Sequence, residues 1–257
     1  MPLRARTRAI ARFTLLEAWR NRFGLLLAAF IVAAVLASIF VRQQSITEST
    51  RSQIAFLAAT LRAGAVFIVA ITVIQGSVRE AQDKVLELML SLDLPRGNYL
   101  TGKFLGYACL GVASAMAVSL PLLVLTDFQS VLQWAYTLLL ELWIVTAFAM
   151  LCITTFSQIA LAAVVVSGFY VLARSITAIQ LMSQSNLASS GTASDAARFL
   201  ADGIALVLPR MDSFAQTGWL IDAAVSHATL TGATIQAAIY TGLLLAAAMF
   251  DLQRRNF

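Results

Sequence analysis

Phe23–Val41 is a run of 19 residues without a charge. At a rise of about 1.5 Å per residue, a helix of that length covers roughly 30 Å of hydrocarbon. A backbone in that solvent must satisfy its own N–H and C=O groups, so the run is restricted to a membrane-spanning helix. Five more apolar runs follow, near 54–76, 104–125, 131–156, 159–172 and 233–250. Composition agrees: the 257 residues are 60% hydrophobic and 12% charged, where soluble domains carry roughly 25% charged residues. The chain is therefore expected to be an all-α membrane protein with six transmembrane helices, one domain over 1–257. The first run follows a long arginine-rich lead with no small-residue cleavage site, so it reads as a retained span.

Six spans put both termini on one side, and the basic residues say which. Arg4–Arg22 holds six arginines, 77–103 holds four lysines and arginines, and the C-terminus holds two, giving 12. The opposite face has Arg42, Arg51, Arg174, Arg198 and Arg210, giving 5. The positive-inside rule places both termini in the cytoplasm. Residues 1–22 read as a basic amphipathic helix on the cytoplasmic leaflet, with Ile10, Phe13, Leu16 and Trp19 along one drifting face and the arginines near anionic lipid headgroups. Because the arginines flank apolar runs, the net charge of +5 is a topology signal and no nucleic-acid partner is expected. The outer region, 173–231, opens with the polar sequence SQSNLASSGTASD. A helix over Ala196–Leu208, too short to span, and a second short piece near Trp219–Val225 follow.

Ser77–Gly106 is the longest charged segment between two spans on the basic side. Val85, Leu86, Met89, Leu90 and Leu92 recur at helical spacing, with Arg79, Glu80, Asp83, Lys84 and Glu87 largely between them. Asp93, Pro95 and Gly97 end that helix. Such a helix suits docking on another protein, and equally a solvated joint between two spans.

Two ionisable residues lie well inside spans. Arg62 is about 12 Å from the outer end of the second span and Glu141 about 15 Å from that of the fourth, at 1.5 Å per residue. Either one alone would cost roughly 2.5–3.5 kcal/mol on insertion scales, so a partner or a wet cavity is expected. The two could pair or line a translocation path near its outer end. Alternatively, Arg62 snorkels outward and Glu141 bonds a neighbouring helix.

Catalytic patterns are weak. GNYLTGKF, Gly97–Phe104, approaches the phosphate-binding pattern G-x-x-x-x-G-K-[ST], but Phe104 fills the hydroxyl position and no strand precedes it. Cys109 and Cys152 lie in apolar runs and His227 is the sole histidine, which gives no metal or redox motif. No cofactor is expected on this chain.

The sequence resembles the permease subunits of type-2 ABC transporters, the six-span exporter class, over nearly its whole length. The likeness rests on FTLLEAWRNRF before the first span, on VREAQDKVLELMLSLDLPRGNYLTGKFLG between the second and third, and on the closing MFDLQRRNF. Such permeases commonly read R-E-x-x-x-G-T-L-E-L-L-L-S-x-P-x-x-R-x-x-x-x-x-G-K at the middle position. Arg79, Glu80, Leu86, Glu87, Leu88, Leu90, Ser91, Arg96, Gly102 and Lys103 match it. Lys84 and Val85 replace the usual Gly-Thr, and Asp93 stands where proline is common.

The resemblance implies that Glu80–Leu92 is a coupling helix docked on a separate ABC ATPase dimer, which would carry ATP and magnesium. Leu86 and Leu90 would fill its cleft, Glu80, Asp83 and Glu87 would pair with its basic rim, and Arg96 would belong to the same ATPase-coupling segment. The N-terminal helix would be the interfacial connecting helix, and a second permease copy, identical or paralogous, would complete the pathway. The short outer helices would shape the external gate. The rival reading is a membrane scaffold that transmits ATPase work to an external accessory protein without passing a substrate. The few charges of the external half suit a lipid-like or amphipathic cargo and equally a structural role, so the sequence names no substrate.

Overall fold

The computed structural model describes residues 3–44, 49–82, 96–156, 158–184, 203, 208–221 and 227–254. Eight α-helices cover most of them: α1 (Leu3–Arg20), α2 (Phe23–Gln44), α3 (Ser49–Gln82), α4 (Arg96–Ser119), α5 (Phe128–Thr155), α6 (Ile159–Gln184), α7 (Gly218–Ile221) and α8 (His227–Arg254). No strand occurs among the described residues. Among the described residues, six helices are long and apolar enough to cross a membrane. They are α2, α3, α4 with the 3-10 turn Leu120–Val124, α5, α6 and α8.

The spans sort by burial. Of the most apolar window of α5, 67% is buried, against 17% for α2 and for α8. Thus α5 is the axis of the bundle, touched by α3, α4, α6 and α8, while α2 lies outside α3. Its buried stripe includes Trp134, Leu138, Leu142 and Val145, at the spacing of one helical face. Several hydroxyls in the spans bond back to their own helix, as Thr72 Oγ1 does to Ile68 O (2.7 Å) and Ser114 Oγ to Leu110 O (2.7 Å). That satisfies them where water is absent.

The helices outrun the apolar segments. The second run reads as 54–76, but α3 continues to Gln82, so Glu80 belongs to the span helix instead of opening a separate one. At 34 residues, α3 is about 51 Å long and must project beyond roughly 30 Å of hydrocarbon. Arg96 is the first residue of α4. Pro121 lies in the first turn of the 3-10 segment, where α4 stops at Ser119 because proline supplies no N–H to continue the ladder.

Helix α1 packs along α4. Its buried stripe is Ile10, Thr14 and Ala18, whereas Phe13, Leu16 and Trp19 are exposed. The apolar face expected from the sequence is thus split. Ile10 joins Tyr99 and Leu252 in a small core that brings α1, the start of α4 and the end of α8 to one end of the bundle. Gly102 and Gly106 form the groove α1 lies in: a Cβ on Gly106 would sit 2.7 Å from Thr14 Cβ and 2.8 Å from the Ala11 carbonyl oxygen. Backbone cannot retreat as a side chain can, so Gly106→Val is expected to undock α1. Losing about 1.4 kcal/mol of docking raises the open population tenfold, and trypsin cleavage at Arg8 and Arg12 in detergent solution should accelerate accordingly. Cleavage at the wild-type rate would mean that α1 does not depend on this approach.

Candidate functional site

Two buried polar clusters stand out, one at the end that carries α1 and one deeper, near the middle of α5. The first is built on the end of α3 and the start of α4. Tyr99, Lys103 and Tyr107 are spaced i, i+4, i+8 and so form a stripe on α4. Ser77 and Glu80 face them from α3. Lys103 Nζ lies 2.7 Å from Glu80 Oε2, and the Tyr99 hydroxyl donates to the same oxygen at 2.6 Å. Lys103 Nζ also donates to Tyr99 OH at 3.3 Å, and Ser77 Oγ and Tyr107 OH are 3.5 Å apart. Glu80 and Lys103 are only 6% and 4% exposed. The expected outward contact of Glu80 with a partner's basic rim is therefore corrected: its carboxylate is turned into the bundle and bound by Lys103 and Tyr99. The neighbouring Arg79 reaches the α1–α2 joint, donating from Nη1 to Asn21 Oδ1 at 2.8 Å. That joint bends at Arg22, whose φ of 61° lies in the left-handed region, at a cost of about 1–3 kcal/mol for a residue with a Cβ.

The described residues on either side of 83–95 are thus fastened, Arg79 and Glu80 before it and Tyr99 and Lys103 after it. Asp83, Leu86, Glu87 and Leu90 lie outside the described residues, as does the side chain of Arg96. The lysine of the phosphate-loop-like pattern is consumed in the Glu80 pair, and Gly97–Phe104 is helical throughout, unlike a loop that wraps a phosphate.

Glu17 of α1 faces this cluster across a cavity of about 10 Å³ shared with Thr14, Gly76 and Tyr107, about the smallest space that holds a water. Its Oε2 has no hydrogen-bond partner. Burial, then the charge of Glu80, hold the Glu17 pKa above its ordinary 4.5, against the pull of Lys103 and Arg79. A carboxyl raised on folding contributes fully below its unfolded pKa and loses that contribution as pH rises through the folded value. Docking of α1 should therefore weaken as pH climbs from about 4.5, and Glu17→Gln should flatten the profile. Trypsin sensitivity of α1 across that range reads the effect, and a wild-type profile as flat as the variant's would contradict it.

The second cluster centres on Glu141, fully buried on α5. Its Oε1 pairs with Arg174 Nη1 of α6 at 3.4 Å. Arg174 Nη1 also donates to the carbonyls of Met211 (2.7 Å) and Phe214 (3.0 Å). Arg62 of α3 donates from Nη1 to Ala215 O at 2.8 Å, and Trp134 Nε1 donates to that same oxygen at 3.1 Å. The Ala215 amide is taken by Thr137 Oγ1 at 3.2 Å. Ala215 itself has φ 44°, and Met211, Phe214 and Ala215 are completely buried. A tight turn from the region between the fifth and sixth spans is thus plugged into the bundle, its carbonyls bound by two arginines.

In place of the direct Arg62–Glu141 pair that similar depth allowed, the side chains form a three-way arrangement. Arg62 is near enough for its charge to act on Glu141, but its hydrogen bond goes to the turn and Glu141 takes Arg174. Sequence reasoning missed Arg174 because the apolar run of the fifth span ends at 172, whereas α6 continues to Gln184. Trp134, Thr137 and Glu141, at i, i+3 and i+7, were the available signal. Of the short helices expected in the outer region, Gly218–Ile221 is described, and most of Ala196–Leu208 lies outside the described residues.

Compared with known proteins, residues 5–177 match the family model for the ABC-2 type transporter. No curated protein matches the chain.

Proposed function

The chain belongs to the ABC-2 type transporter family, and from that premise we propose that it couples ATP hydrolysis on a separate ATPase to export across the bacterial inner membrane. Membership makes it a multi-pass membrane subunit of an ABC transporter and implies an ABC ATPase partner and dimeric assembly. In this proposal both termini are cytoplasmic, and the 83–95 segment docks in the ATPase through Leu86, Leu90, Asp83 and Glu87. Arg62, Glu141 and Arg174 shape the pathway nearer its outer end.

One observation supports the coupling reading above the others: the buried Glu80–Lys103 pair at 2.7 Å. A segment that merely joined two spans would not need a desolvated ion pair at its root, which costs several kcal/mol per ion before attraction offsets it. With that pair, Arg79 on the α1–α2 joint and α1 against Gly102 and Gly106, a push on 83–95 reaches three helices as one rigid unit.

Co-purification with an ABC ATPase encoded beside the chain tests the proposal, with complex formation and ATPase rate scored together. Glu87→Arg should lose the complex or uncouple it. A chain that captures no ATPase, or a variant that behaves as wild type, would leave 83–95 as a joint between spans.

A further inference from the structure

We propose that the groove between α2 and α3, at the end that carries α1, is a binding site for one anionic phospholipid of the surrounding leaflet. The groove encloses about 320 Å³, within the roughly 300–1,000 Å³ usual for small-molecule sites. Its polarity is graded along its length. Asn21, Thr72 and Gln75 line one end, whereas Phe23, Leu26, Phe30, Ile68 and Ile71 line the rest. Phe23 to Phe30 on α2 and Gln75 to Ile68 on α3 each run about 10 Å away from the α1 end. The α1–α2 joint and the near end of α3 therefore supply the polar lining, and α2 with the farther part of α3 supplies the apolar lining, as a lipid passes from headgroup to chain.

The deep end is closed by Phe30, whose ring tip occupies the space that Gly64 leaves open on α3: a Cβ there would sit 1.9 Å from the ring's Cζ. The mouth is cationic. Arg79, one turn beyond Gln75, donates to the lining residue Asn21 at 2.8 Å, and Arg22 stands beside it on the left-handed joint. Both are exposed. The nearest acid on α3, Glu80, is held by Lys103 on the inner side. Guanidinium groups bind phosphate oxygens through paired N–H donors, and basic pockets between spans are suited to anionic headgroups. In this assignment the phosphate sits between Arg79 and Arg22 while one acyl chain follows Leu26, Ile71 and Ile68 to Phe30.

The test is the unfolding temperature of the full chain, purified in detergent, as phosphatidylglycerol or phosphatidylcholine is added. A ligand that binds only the folded state stabilises it by RT ln(1 + L/Kd), which keeps rising with its free concentration L. Phosphatidylglycerol should raise the temperature with concentration and phosphatidylcholine should not. Arg22→Gln with Arg79→Gln should abolish the difference. Ile71→Trp, which fills the groove from a partly exposed wall position, should abolish it with both charges intact. Native mass spectrometry of the wild-type chain should find one phosphatidylglycerol retained in competition with phosphatidylcholine, a readout that needs no variant to fold. Equal response to the two lipids, no retained preference, or an undiminished shift in Ile71→Trp would overturn the site. So would a dimer that Ile71→Trp breaks, since a second copy would then occupy the groove. The assay contains no ATPase, so its failure is separate from a failure of the proposed coupling.

Discussion

Glu141→Leu is expected to destabilise the chain by about 3–5 kcal/mol, the usual cost of breaking a buried ion pair from one side. The carboxylate is fully buried and holds Arg174. Without it, two guanidinium groups remain near mid-bundle with no carboxylate between them, hydrogen-bonded to backbone carbonyls. Those carbonyls are arranged for them: Met211 O and Phe214 O for Arg174, and Ala215 O for Arg62. The loss should therefore spread to the turn at Met211–Ala215, which both arginines hold. Glu141→Gln keeps an acceptor oxygen and should cost less, separating loss of charge from loss of the hydrogen bond. Arg174→Met should be at least as damaging, because it frees two carbonyls as well as stranding Glu141. Denaturant unfolding in detergent measures the series, and a Glu141→Leu variant within about 0.5 kcal/mol of wild type, the ordinary range of a surface change, would contradict it.

Lys103→Met should be comparably severe, again about 3–5 kcal/mol, and its consequence is also mechanical. It strands the Glu80 carboxylate beside Tyr99 in a site only 6% exposed. Pairing it with Glu80→Gln removes the stranded charge, so the double variant should recover most of the stability. Recovery of stability need not restore function. In the proposed mechanism the pair ties the root of the 83–95 segment to α4, and the rescued variant should bind its ATPase but couple poorly. If the double variant is no more stable than Lys103→Met, the ion pair is not what holds these helices together.

The six spans were legible because apolar runs near 20 residues long leave a chain in lipid no alternative to helix. Their ends were less so. Hydropathy marks where the membrane stops, whereas the helix continues wherever its far turns find partners. Thus α3 passes Gly76 to bring Ser77, Arg79 and Glu80 to their contacts, and α6 passes 172 to carry Arg174. On α1, period-three spacing selected Ile10, Phe13, Leu16 and Trp19, yet of these only Ile10 is buried, in a stripe with Thr14 and Ala18. That stripe is set by α4, where Gly102 leaves room for Ile10 and Gly106 for Thr14. That choice depends on α4, which no pattern within α1 reveals. Arg62 and Glu141 were legible as intramembrane charges requiring partners, but the partners were not. One is an arginine from beyond an apolar run, and the rest are carbonyls of a turn, which every residue possesses and no sequence distinguishes.

The most direct test of the central claim is a photo-reactive amino acid placed at position 87, irradiated in membranes that contain the neighbouring ABC ATPase, with position 210 as a control at the other end of the bundle. The coupling account predicts a cross-link from 87 to the ATPase whose yield changes with ATP, and none from 210. Cross-links from 87 only to lipid or to the chain itself, in membranes where the ATPase is present, would contradict it.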